Sequence, residues 1–129
     1  MECSCVYVEA ECQAEFFREV LRTARKEHRC CECHRTILPG EKYEYVSGMW
    51  EGKFDTYKTC IDCLSIRNQF FCGIWEFGGS LEYLSEHISE MSGDIGESCL
   101  NSESCLTQAA RERVCEMIER EWERYEDDE

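Results

Sequence analysis

Cys30-Cys31-Glu32-Cys33 and Cys60-Ile61-Asp62-Cys63 each contain a Cys-x-x-Cys pair, and residues 34–59 lie between them. Two residues between ligands let the chain turn tightly enough for both sulfurs to reach one ion at about 2.3 Å. A hairpin in the intervening segment would carry the second pair back to the first. Doubled pairs at this spacing are the sequence form of a four-thiolate zinc site, so Cys30, Cys33, Cys60 and Cys63 are the expected ligands. A second register is open at the first pair, because Cys31 and His34 are also three apart. The Cys30/Cys33 register is preferred, since Ile37, Gly40 and Tyr43 then fall where a knuckle feeds the first strand of a hairpin. Cys60 and Cys63 would open a helix, where free amide donors and the helix dipole favour thiolates.

Working outward, Tyr43-Glu44-Tyr45-Val46, a turn region from Gly48 to Gly52, and Phe54-Asp55-Thr56-Tyr57 read as a β-hairpin. A helix is expected from about Asp62 to Phe71, burying Leu64, Ile66, Phe70 and Phe71. Another should start at Ser80 as N-cap and carry Leu81, Leu84, Ile88 and Met91 on one face. Upstream, Cys5–Val8 suits a short strand. Residues 13–27 suit a helix with Phe16, Phe17, Val20, Leu21 and Ala24 on one side. Residues 92–106 have a linker's composition. A last helix from about Thr107 to Tyr125 carries Ala110, Val114, Met117, Ile118, Trp122 and Tyr125 as an apolar stripe. The expected organisation is a zinc-binding core over 1–91, a linker over 92–106 and an acidic C-terminal helix over 107–129, packed on the core or used for interaction.

The chain has 129 residues, 12 of them cysteine, and a formal net charge of −14. That length suits one domain. Residues 1–68 hold 10 basic and 12 acidic side chains, while residues 69–129 hold 4 and 16, so nearly all of the net charge belongs to the second half. A chain this acidic is poorly suited to coating duplex DNA or anionic lipid, which need clustered Lys and Arg. Met1-Glu2-Cys3-Ser4-Cys5 has no basic n-region and no apolar run of signal-peptide length, and no membrane-spanning stretch is present. The expected compartment is therefore a reducing cytoplasm, where closely spaced cysteines serve as metal ligands more often than as disulfides.

The run Ala24-Arg25-Lys26-Glu27-His28-Arg29-Cys30-Cys31-Glu32-Cys33, followed by Ile37, Pro39-Gly40-Glu41, Tyr43, Gly48, Trp50-Glu51-Gly52, Lys58 and Cys60-x-x-Cys63, resembles a family of small bacteriophage and prophage proteins. The resemblance covers about residues 1–90. It implies a treble-clef-like α+β zinc domain (knuckle, β-hairpin, helix) with flanking helices, a phage origin and a bacterial host cytoplasm. It brings no established activity. Members usually carry Gly where this chain has His34.

Other cysteines suggest a second zinc site: Cys3 and Cys5 with Cys72, and Cys12 or His87 as the fourth ligand. Cys115 reads as a small core residue and Cys99 and Cys105 as reduced loop thiols. For function, three classes compete. A nuclease of the His-Asn-His kind needs histidines on the hairpin and helix, yet the histidines are His28, His34 and His87, and four thiolates leave zinc no open position. A nucleic-acid binder would use the basic stretch Arg18, Arg22, Arg25, Lys26, Arg29 and Arg35 with Tyr45, Trp50 and Phe54 as stacking platforms. The preferred expectation is a non-enzymatic protein whose Glu112, Glu116, Glu119, Glu123, Asp127 and Asp128 meet a basic host protein surface. Such a protein would inhibit or modulate a host nucleic-acid-handling machine in an anti-CRISPR-like, anti-restriction or polymerase-regulating role. The same helix could pair two copies into a homodimer.

Overall fold

The computed structural model describes residues 6, 16–50, 52–71, 77–91, 93, 95, 100 and 106–127. In chain order the elements are β1 (Phe16–Thr23), β2 (His28–Arg29), β3 (Thr36–Ile37), β4 (Lys42–Trp50), β5 (Lys53–Cys60), α1 (Ile61–Phe70), α2 (Ser80–Glu90) and α3 (Gln108–Asp127), an α+β arrangement. The expected hairpin is β4–β5, antiparallel from Tyr43↔Cys60 to Trp50↔Lys53. Its connection is two residues long, and Gly52 supplies the positive φ of 75° that such a tight turn requires. Gly48, expected in the turn region, lies inside the strand opposite Asp55.

The largest departure from the sequence reading is at residues 13–27, where a helix was expected and β1 forms instead. Phe16, Phe17, Val20 and Leu21 match a helical repeat, but in a strand the adjacent Val20 and Leu21 fall on opposite faces. β1 runs antiparallel to β4 from Phe16↔Met49 to Thr23↔Lys42, giving the order β1-β4-β5. The backbone partners offered along the length of β4 outweigh the local helical pattern. No single apolar side results, since Phe17 and Leu21 are both exposed. The expected strand at 5–8 lies outside the described residues except for Val6, which is buried and donates its N–H to Phe70 O at 2.8 Å.

Pleat and register divide the three-stranded sheet into two faces. Glu19, Glu44, Val46, Trp50, Asp55 and Tyr57 share one face, and α1 packs there through Arg67. The Arg67 guanidinium meets Glu44 at 2.6 and 2.7 Å, both side chains being buried, and reaches Glu19 at 3.8 Å. Phe77 stacks on Tyr57 beside it, with ring centroids 4.6 Å apart. The other face carries Arg18, Val20, Arg22, Tyr45, Ser47, Met49, Phe54, Thr56 and Lys58.

Two cores result. A helical core gathers Ile66, Phe70 and Phe71 of the α1 region with Leu84 and Ile88 of α2 and Ala110, Val114 and Ile118 of α3. A smaller one gathers Ala24, Ile37 and Tyr43 around Cys30, Cys60 and Cys63. The expected helices are present, with local corrections. Gly79, rather than Ser80, occupies the N-cap position of α2, and Met91, past the end of that helix, is exposed. Trp122 is also exposed rather than core, lying over Gly93, where any side chain would strike its indole. Within the expected linker, Leu106 is buried and Ile95 and Leu100 pack against the helical core. Among the described residues, no helix is long and apolar enough to cross a membrane.

Candidate metal centre

Four sulfurs converge where the two short strands, the hairpin and α1 meet. The two-residue ladder β2–β3 pairs His28 with Ile37 and Arg29 with Thr36, and the chain between them turns back as a knuckle. The Cys30 N–H donates to Arg35 O at 3.0 Å and the His34 N–H to Cys30 O at 3.1 Å. His34 has φ 64°, the left-handed conformation that glycine adopts at least cost. A non-glycine residue in this conformation costs some local strain, which the chain accepts to close the turn. The Cys31 N–H donates to Lys58 O at 2.8 Å, fastening the knuckle to β5.

The ligand atoms of Cys30, Cys33, Cys60 and Cys63 all lie within 4.8 Å of one another. Cys33 Sγ and Cys60 Sγ are 3.8 Å apart. A tetrahedron with bonds of about 2.3 Å has edges of about 3.8 Å, so this spacing fits a four-coordinate metal. Backbone donors point at the sulfurs as they do around thiolates: Glu32 N–H and Cys60 N–H approach Cys30 Sγ at 3.4 and 3.3 Å, and Cys63 N–H approaches Cys60 Sγ at 3.4 Å. Cys60 is the N-cap of α1 and Cys63 lies in its first turn, so the positive end of the helix faces the cluster. The donor set is soft, four-coordinate and mostly buried, which suits a metal ion such as zinc.

Packed this closely, the sulfurs do not ionise alike. The thiols of Cys33, Cys60 and Cys63 together hold the Cys30 thiol far below its ordinary value. Cys33 is raised by Cys30 but lowered by Cys60 and Cys63, and the balance brings it down to about 6. Cys60 and Cys63 are pushed upward, chiefly by Cys30 beside them. A divalent cation removes this conflict, since it lets all four sulfurs carry charge at once. Cys31 and His34 do not join the cluster. Cys31 Sγ lies 3.5 Å from Thr59 Oγ1, and burial pushes its thiol up to about 11, so it is not a ready nucleophile. His34 is exposed.

The residues inside the two Cys-x-x-Cys pairs reach outward to the helices. Glu32 is buried and accepts the Gly78 N–H, and its carboxylate is also hydrogen-bonded at Ser80. It therefore holds the N-terminus of α2, although burial raises its pKa above the ordinary carboxylate value. Asp62 accepts the Thr107 hydroxyl at 2.6 Å, and Thr107 Oγ1 in turn accepts the Ala110 N–H at 3.1 Å, capping α3. Arg35 bridges Asp62 at 3.3 Å and Glu41 at 3.0 Å, and its pKa is raised first by Glu41 and also by the neighbouring Cys60. These polar links were not visible in the sequence, because nothing local marks Glu32 or Asp62 as partners of residues 46 and 45 positions away.

Among the other expected site residues, Cys3, Cys5, Cys12 and Cys72 lie outside the described residues. His87 is half-buried on α2, and Cys115 is half-buried on α3. Glu112, Glu116, Glu119 and Glu123 are exposed at helical spacing along α3. Asp127 is its last residue, and Asp128 lies outside the described residues. His28 rests against Tyr43 with ring centroids 5.0 Å apart.

No family model matches the chain, and no curated protein or solved structure matches it.

Proposed function

We propose that this is a non-enzymatic zinc protein, treble-clef-like in its metal-binding half, that acts by binding another protein. The observation that carries the reading is the four-sulfur cluster itself. Four cysteine ligands complete a tetrahedral ion without a vacant position, which is the difference between structural and catalytic zinc. The order of knuckle, hairpin and helix, with two ligands from the knuckle and two from the N-cap and first turn of α1, supports the treble-clef-like reading.

The partner is a basic surface, met by the ridge Glu112, Glu116, Glu119 and Glu123, whose spacings of four, three and four keep all four carboxylates on one side of α3. Such a ridge steers a cationic groove toward itself and competes for groups that otherwise hold phosphates. With the resemblance to phage proteins, this favours a modulator of a host nucleic-acid-handling machine in the bacterial cytoplasm.

The test compares the wild-type chain with a variant in which the four ridge glutamates are replaced by Gln. Both are loaded with zinc and used to capture proteins from nuclease-treated bacterial lysate. A defined basic protein retained by the wild type and lost by the variant, at equal zinc content, is the expected result. Equal capture by both overturns the ridge as the binding surface, and metal-dependent nuclease turnover by the purified chain overturns the non-enzymatic reading.

A further inference from the structure

Charges are sorted between the two faces of the sheet. Strands β1, β4 and β5 contain three acidic residues, Glu19, Glu44 and Asp55, and register places all three on the α1 side. The opposite face carries Arg18, Arg22 and Lys58 and, among the described residues of these strands, no carboxylate. Tyr45 lies at its centre, paired with Val20 on one side and Lys58 on the other. The Arg22 guanidinium covers the Tyr45 ring at 3.9 Å from its centroid. Phe54 stands on the same face near the hairpin end and is 67% exposed. An exposed phenylalanine and a guanidinium stacked on tyrosine, set among cations, are the groups that hold unpaired bases and their phosphates.

We propose that this face, on which Arg18, Arg22 and Phe54 are exposed, binds single-stranded nucleic acid. Phe54 and the Arg22–Tyr45 stack offer flat surfaces for bases, and Arg18, Arg22 and Lys58 offer positive charge to the backbone running between them. An acidic peptide would satisfy the cations but leave Phe54 without use, and a duplex would hide the base faces that the aromatic groups recognise. The acidity of the whole chain does not forbid this binding. The three strands hold five cations against three carboxylates. The acidic ridge lies on α3, which packs on α1 through Ile66 and Phe70, while α1 meets the other side of the sheet through Arg67. A helix is about 10–12 Å thick, more than the Debye length of about 8 Å at physiological salt. The site is thus separate from the ridge, and its binding stands or falls independently of the protein partner.

The experiment is fluorescence anisotropy of labelled twelve-nucleotide oligo-dT and oligo-U against the zinc-loaded full chain, titrated with salt. Three contacted phosphates at about −0.7 each predict a log–log salt slope of about −2. The triple variant Arg18→Glu, Arg22→Glu, Lys58→Glu should lose at least about tenfold in affinity, or about 1.4 kcal/mol or more. Phe54→Ala, an exposed change with little bearing on folding, should lose at least about fivefold with the slope retained. Lys42→Glu with Lys53→Glu, both exposed and on the α1 side, should bind within about twofold of wild type. Failure to bind either oligonucleotide at low salt overturns the proposal. So does equal weakening by the Lys42/Lys53 pair, which would mark diffuse charge attraction, or poly-Glu binding as tight as the oligonucleotides with no effect of Phe54→Ala, which would mark an acidic protein as the occupant.

Discussion

The two cores of this molecule are built from different chemistry. Among the described residues, the helical core is built from aliphatic and aromatic side chains, from Val6 to Ile118. The cysteine-centred core is smaller, and Cys30, Cys60 and Cys63 make up half of its described buried apolar residues. Burial of aliphatic and aromatic side chains is worth about 1.5–3 kcal/mol each, so the first can hold through many small contributions. Among the described residues the second buries Ala24, Ile37 and Tyr43 beside its sulfurs, and the proposed zinc supplies what these few cannot. One core should therefore soften gradually under mutation while the other fails at a single residue.

The sharpest way to break this contrast is Cys60→Ser. It removes a ligand and puts a smaller, harder donor at the cap of α1. Structural zinc sites in small domains carry about 10–16 kcal/mol of folding free energy, so the variant should lose bound zinc and the unfolding transition of the cysteine-centred core together, while the helical core keeps its own, read by metal analysis and circular dichroism. Chelation of the wild type should reproduce the effect, and lowering the pH should assist it, because protons compete for the same sulfurs. If the variant lost its zinc and still unfolded as the wild type does, the cysteine-centred core would be an ordinary one.

Next is Phe70→Ala, fully buried in the other core. The expected loss is about 3–5 kcal/mol in urea unfolding, with zinc content unchanged. Loss of zinc would show that the two cores are not separable. Thr107→Ala tests the joint between them, since Thr107 caps α3 and donates to Asp62 beside the ligands. A loss of about 1–2 kcal/mol is expected, at the upper end for a cap because Asp62 also loses a partner. Cys31→Ser should cost the least, below about 1 kcal/mol, with full zinc binding. A large loss of metal there would move Cys31 into the ligand set in place of Cys30.

What was legible in the sequence follows the same division. Spacing, with Ile37, Gly40 and Tyr43 choosing the register of the first pair over Cys31/His34, named the four sulfurs that the structure brings together, because a knuckle and a helix start impose short-range geometry. The three helices were legible in the sequence with ends shifted by a residue or two, and the hairpin was legible from alternation although its strands run three to four residues further, to Trp50 and Cys60. β1 was not. Its pairs Phe16-Phe17 and Val20-Leu21 satisfy a helical repeat, and only β4, eighteen or more residues downstream, makes the strand preferable. The sorting of charge in the sheet was hidden for the same reason. Arg18 and Arg22 fall in the stretch read as a helix, and only register, which pairs them with Ser47 and Tyr43, puts them on the same sheet face as Tyr45 and Lys58. Contacts between distant segments also account for Glu32, Asp62 and the buried Arg67–Glu44 pair, whose sequence neighbourhoods give no sign of their partners.

Glu32 and Asp62 give the joint between the two halves a definite place. Each carboxylate lies inside a Cys-x-x-Cys pair of the cluster, and each receives a helix from the later part of the chain, Glu32 at Gly78 before α2 and Asp62 at Thr107 before α3. The two short segments that hold the sulfurs therefore also hold the starts of α2 and α3, so a disturbance of the cluster has two direct routes into the C-terminal half.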